Sequence, residues 1–110
     1  MTNKVGGVMV RNYFKNLVNR FFKILPMYES GDESLVTYMD SLADELIGAK
    51  EVIMGVDNSS MYLSLICTLA FFIGNSEDPG LTKEIVKREV FKAIDICNKL
   101  EELYGESVVV

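Results

Sequence analysis

Residues 61–73 read Met-Tyr-Leu-Ser-Leu-Ile-Cys-Thr-Leu-Ala-Phe-Phe-Ile, and the fold turns on how this stretch is taken. Only Ser64 and Thr68 interrupt its apolar run. Asp57, Asn58, Ser59 and Ser60 precede it, any of which can cap a helix start, and Gly74-Asn75 follows as a C-cap would. At ~100° per residue, Leu63, Leu69, Phe71 and Phe72 point into four different quadrants. A helix that is apolar all round belongs inside a core or a membrane. Thirteen residues rise only ~20 Å, short of the ~20 residues of a bilayer span. The stretch is therefore expected to be a central helix covered on every side, and no membrane span is expected.

Outward from it, the flanking segments show helical spacing. Val10, Phe14, Leu17, Val18, Phe21 and Leu25 fall on one arc, opposite Asn12, Lys15, Asn16, Asn19, Arg20 and Lys23. This predicts a helix over 10–25, stopped by Pro26, which denies the next turn an N–H. Ser30-Gly31-Asp32 reads as a turn and cap. Leu35, Tyr38, Met39, Leu42, Leu46, Ala49 and Ile53 predict a second helix from about Glu33 to Gly55, with a kink or break where Gly48 falls. After the central helix, residues 75–80 (Asn-Ser-Glu-Asp-Pro-Gly) are a turn. Thr82 is the expected N-cap of the last helix, with Leu81 and Val86 spaced as a hydrophobic staple. Val86, Val90, Ala93, Ile94, Cys97, Leu100 and Tyr104 form its inner stripe. Glu84/Arg88 and Asp95/Lys99 are spaced for ion pairs along its outer side.

Four helices with short connections predict an all-α fold, a four-helix antiparallel up-down bundle whose third helix is fully apolar. The chain is one domain over 1–110, with 1–8 and 106–110 expected as flexible ends. A two-stranded ribbon joining 5–10 to 108–110 is the lesser alternative for those ends. Met9 is an alternative to Met1 as the native start. The N-terminus has no apolar block and cleavage site of the secretory kind, and Cys67 and Cys97 stand far apart, so a cytoplasmic setting with two reduced core cysteines is expected.

Net charge is −5, which argues against a general polyanion binder. The charge is uneven: Lys4, Arg11, Lys15, Arg20 and Lys23 all precede the first acid, whereas residues 26–60 are dominated by acids. Glu33, Asp40, Asp44 and Glu51 share one face of the second helix. Only Asp40 and Asp44, one turn apart, could touch a common cation, and two carboxylates fall short of the six to eight oxygens Ca²⁺ takes. The chain has no histidine, which removes Ser-His and Cys-His nucleophile pairs, and no glycine-rich phosphate loop occurs. No catalytic residue, cofactor or metal site is assigned.

The reading this leaves is a small non-catalytic helical protein that acts through protein–protein contacts, with itself as a homodimer or with another protein. Phe14, Phe21, Leu63, Phe71 and Phe72 are the candidate interface residues. Arg11, Lys15, Arg20, Lys23, Glu33, Asp40, Asp44 and Glu51 are the candidate polar contact surface. Two alternatives of other classes stand beside it. One is a nucleic-acid-associated accessory protein using the basic face of the first helix; nucleic acid is the less expected partner. The other is a carboxylate–metal hydrolase using Asp40 and Asp44.

Overall fold

A computed structural model describes residues 7–50 and 60–105, and within them the chain forms α1 (Gly7–Phe22), α2 (Ile24–Ser30), α3 (Leu35–Ala49), α4 (Ser60–Gly74) and α5 (Lys83–Gly105). The first two are one bent rod. Lys23 between them keeps helical angles (φ −62°, ψ −21°), and its N–H still reaches the Asn19 carbonyl at 3.0 Å. The expected stop at Pro26 is thus corrected. Pro26 falls in the first turn of α2, where its missing N–H interrupts only the bond to the Phe22 carbonyl, and the helix passes through. The true stop is Gly31, at φ 67° and ψ 33°, where a side chain would be strained. The N–H groups of Gly31 and Asp32 return to the carbonyls of Tyr28 (3.2 Å) and Met27 (3.0 Å) and close the helix end.

Two further boundaries differ from the sequence pattern. Gly7 and Val8, expected in a flexible end, lie in the first turn of α1, so residues 8–10 are helix and not strand. Gly48 neither kinks nor ends α3, which runs to Ala49. The expected continuation to Gly55, the caps at 57–59 and the two chain ends fall outside the described residues. At the far side Thr82 does cap α5, its hydroxyl oxygen accepting the Ile85 N–H at 3.3 Å.

The rods form an antiparallel up-down bundle. Lys15 meets Glu101, Phe22 meets Phe91 and Glu29 meets Lys83, so α1–α2 runs against α5. Tyr62 lies against Leu46 while Phe72 shares a groove with Met39, so α4 runs against α3. The core between the rods holds Phe14, Leu17, Phe21, Leu42, Leu46, Leu65, Leu69, Val90 and Leu100. Each rod has two lateral neighbours, and those of α4 are α3 and α5. Among the described residues that arrangement leaves a fourth side of α4 open, so the expected coverage on every side is not met by them.

Candidate functional site

The open side of α4 is the most distinctive surface of the molecule. Tyr62, Leu65, Leu69 and Phe72 turn inward and are buried. At ~100° per residue, Ser60, Leu63, Cys67, Ala70 and Gly74 turn outward along one line, with Phe71 beside it. Leu63 is 42% and Phe71 43% exposed. On α3, Ile47 (45% exposed) and Val36 lie on the opposite flank from Tyr38 and Glu45, a flank they share with exposed Asp40 and Asp44. From Ser60 to Gly74 there is no charged side chain. The hydroxyls of this helix are spent locally: Ser64 donates to the Ser60 carbonyl and Thr68 to the Ser64 carbonyl, both at 2.9 Å. Asn75 caps the last turn, its side-chain amide donating to the Phe71 carbonyl at 2.8 Å. Gly74 therefore ends the helix without the left-handed turn that a glycine C-cap would make. Beside Phe71, a groove between α4 and α5 is lined by Ser64, Cys67 and Thr68 on one wall and Glu89, Lys92 and Ile96 on the other.

This geometry divides the residues singled out in the sequence. Leu63 and Phe71 are on the open face. Phe14, Phe21 and Phe72 are at most 2% exposed and belong to the core, so they cannot contribute to an interface. The periodicity that marked them as apolar did not say which side of the helix faced a neighbour. Cys67 is a second correction: it is exposed on the outward line of α4, whereas Cys97 is buried on α5. Burial pushes the Cys97 thiol up to about 12.

The charged residues do not gather into one surface. Arg20 makes a bidentate bond to Glu45 across α1 and α3, at 2.5 and 2.8 Å. Lys15 pairs with Glu101 at 3.9 Å, and the Lys23 ammonium stands over the Tyr38 ring at 5.4 Å from its centroid. Arg11 is half-buried; Glu33, Asp40 and Asp44 are exposed and apart from these cations. Glu51 lies outside the described residues. On α5, Arg88 and Lys92 pair with Glu89, displacing the expected Glu84/Arg88 step. Among the described residues no three His, Cys, Asp or Glu side chains stand close enough to share a metal ion.

A polar network that the sequence pattern did not single out lies inside the bundle. Tyr62, fully buried, donates its hydroxyl to the Leu46 carbonyl near the end of α3. Tyr38 donates to the Arg20 carbonyl at 2.8 Å, and Tyr28 to the Leu81 carbonyl at 2.6 Å. The Tyr13 hydroxyl is buried between the Tyr62 hydroxyl and the Glu45 carboxylate and interacts with both. Burial, followed by the neighbouring Tyr62 and Glu45, raises the Tyr13 phenol far above its ordinary range; burial alone dominates for Tyr62, pushed up to about 12. The Arg20 side chain, chiefly by hydrogen bonding, holds Glu45 below the usual carboxylate value. The available signal was tyrosine itself: a buried one brings a hydroxyl that has to find an acceptor. With the phenols of Tyr13, Tyr38 and Tyr62 all raised, the network serves to join helices.

One groove of about 310 Å³ opens at the end of the bundle, between α2, α3 and the turn before α5. Its apolar floor, Ile24, Met39, Phe72 and Val86, is at most 2% exposed and offers little surface to a ligand. Among the described residues no helix is long and apolar enough to cross a membrane. In comparisons with protein-family models, with curated proteins and with solved structures, nothing matches this chain.

Proposed function

We propose that this chain is a non-catalytic interaction module whose contact surface is the outward face of α4. The observation that carries the proposal is a four-turn helix without a charge, presenting Leu63 and Phe71 to solvent from a bundle whose other outer surfaces carry charges. Contiguous apolar surface on a folded protein usually marks a contact site. A charge-free face selects a partner by shape and apolar matching, and ion pairs at the rim adjust the encounter. The reading rests on chemistry that the face has, and it needs no reactive group.

The test compares the wild-type chain with Leu63→Asp/Phe71→Asp as bait in capture from its native cell. Both positions are outside the core, so the helical circular dichroism and melting of the double variant should match wild type. Partners that co-purify with wild type, further copies of the chain included, should be lost from the variant. If the two baits retain the same partners, the outward face of α4 is not the contact surface.

A further inference from the structure

On the basis of that reading, we propose that the occupant of the α4 face is a second copy of this chain, paired antiparallel about a two-fold axis at Cys67. The face is self-complementary. Leu63 and Phe71 stand four residues before and after Cys67, so at ~100° per residue they lie ~40° to either side of it. A two-fold axis across α4 at this level carries Leu63 of one copy to the height of Phe71 on the other. The Leu63 side chain then meets the outward depression bounded by Cys67, Ala70, Phe71 and Gly74. The Phe71 side chain meets the one bounded by Ser60, Leu63, Ser64 and Cys67. Each set has the i, i+3, i+4, i+7 spacing of a hole that receives a knob in helix packing. Each hole is framed mainly by small side chains, and a Cβ built on Gly74 meets no atom within 4 Å, so the depression is open.

Charge is consistent with this occupant. Two copies bring together no charged side chain along Ser60–Gly74. The extent of the face sets the strength. Fifteen residues of helix are ~22 Å long, and a band ~20 Å wide, which takes in the edges of α3 and α5 beside it, covers ~450 Å² per copy. A stable dimer of standard size uses ~800 Å² per partner, so this pairing falls in the weak, reversible class. Because each copy carries a net charge of −5 and α4 itself brings no charge to the contact, added salt should strengthen association.

The experiment uses the full chain. Sedimentation equilibrium of wild type should show a monomer–dimer equilibrium that shifts toward dimer with salt. Leu63→Asp, whose effect enters twice in a symmetric pair, should weaken the dimer by ~100-fold or more. For the geometry, Ser60→Cys/Cys67→Ser and Gly74→Cys/Cys67→Ser chains leave Leu63 and Phe71 intact. Mixed and oxidised, they should cross-link at least ~10-fold faster than either alone, because position 60 faces position 74 of the other copy. Equal cross-linking of each variant with itself overturns the antiparallel geometry. Wild type that stays monomeric at ~0.5 mM, or dimer that dissociates with salt, overturns the second copy as occupant. Neither result touches the broader reading, which fails only if the capture above is indifferent to Leu63→Asp/Phe71→Asp.

Discussion

Replacing Tyr62 by Phe removes one oxygen atom from the interior and nothing else. In the folded chain that hydroxyl donates to the Leu46 carbonyl, from a residue with no exposed surface. The carbonyl is not orphaned by the change, because the Lys50 N–H also reaches it, at 3.3 Å. The cost should therefore sit near the ~1 kcal/mol of a lost hydrogen bond and below the ~3 kcal/mol of a stranded polar group. Loss of the interaction between Tyr62 and Tyr13 raises it to ~1–2 kcal/mol in all. For a domain of about this size that is a fall in Tm of ~5–10 °C. Thermal and urea unfolding followed by circular dichroism measure it directly. Tyr13→Phe is the companion variant. Its hydroxyl is buried against Tyr62 and Glu45, so its removal should cost no more than that of the Tyr62 hydroxyl. The double variant should fall short of the sum of the two effects, since the phenols are neighbours. A Tyr62→Phe protein as stable as wild type would refute the claim that this hydroxyl ties α4 to α3.

Three more outcomes rest on the same bundle. Stability should decline as pH falls below ~4.5, because Glu45 has a depressed folded value: its contribution is complete above the unfolded pKa and is lost as protons return. Glu45→Gln should flatten that decline in urea midpoints between pH 7 and pH 3, without abolishing it, since Ser34 likewise holds Asp32 low. A thiol reagent should modify one cysteine rapidly in the native protein, Cys67, and reach Cys97 only with unfolding; rapid labelling of both would place Cys97 elsewhere than in the core. Finally, the two glycines should respond to alanine with opposite signs: Gly31→Ala should cost ~1–2 kcal/mol at its positive φ, while Gly48→Ala, in open helical space, should gain up to ~1 kcal/mol. Urea unfolding distinguishes the two signs.

The helices were legible in the sequence because each of α1, α3 and α5 carries a stripe with one physical meaning. Val10, Phe14, Leu17 and Phe21 repeat at helical spacing, and all four are buried. Thr82 announced its cap because a hydroxyl at that place has one inexpensive use. The central helix was legible as a helix and illegible as a surface. With apolar residues on every side, its pattern contains nothing to distinguish Leu65, at the centre of the core, from Leu63, two residues away and open to water. Only the placement of α3 and α5 decides that, and the same ambiguity put Cys67 in the core and Phe72 at an interface. Pro26 misled for a different reason. Proline ends a helix from within but is tolerated in a first turn, and the pattern did not reveal that a second helical segment begins at Ile24. The Arg20–Glu45 bond joins residues distant in sequence and has no local signature.

The pairing of α1 with α5 has a consequence for how the chain is made. In order of synthesis α1 finishes at Phe22, and its main partner is complete only at Gly105, roughly 80 residues later. At ~5–20 residues per second, Phe14, Leu17 and Phe21 wait several seconds before the surface that covers them exists. During that interval α3 and α4 can pair with each other through a short connection, while α1 remains an amphipathic helix without its groove. A nascent chain stalled before α5 should therefore bind holdase chaperones through α1. Release should require the last quarter of the sequence rather than the middle half.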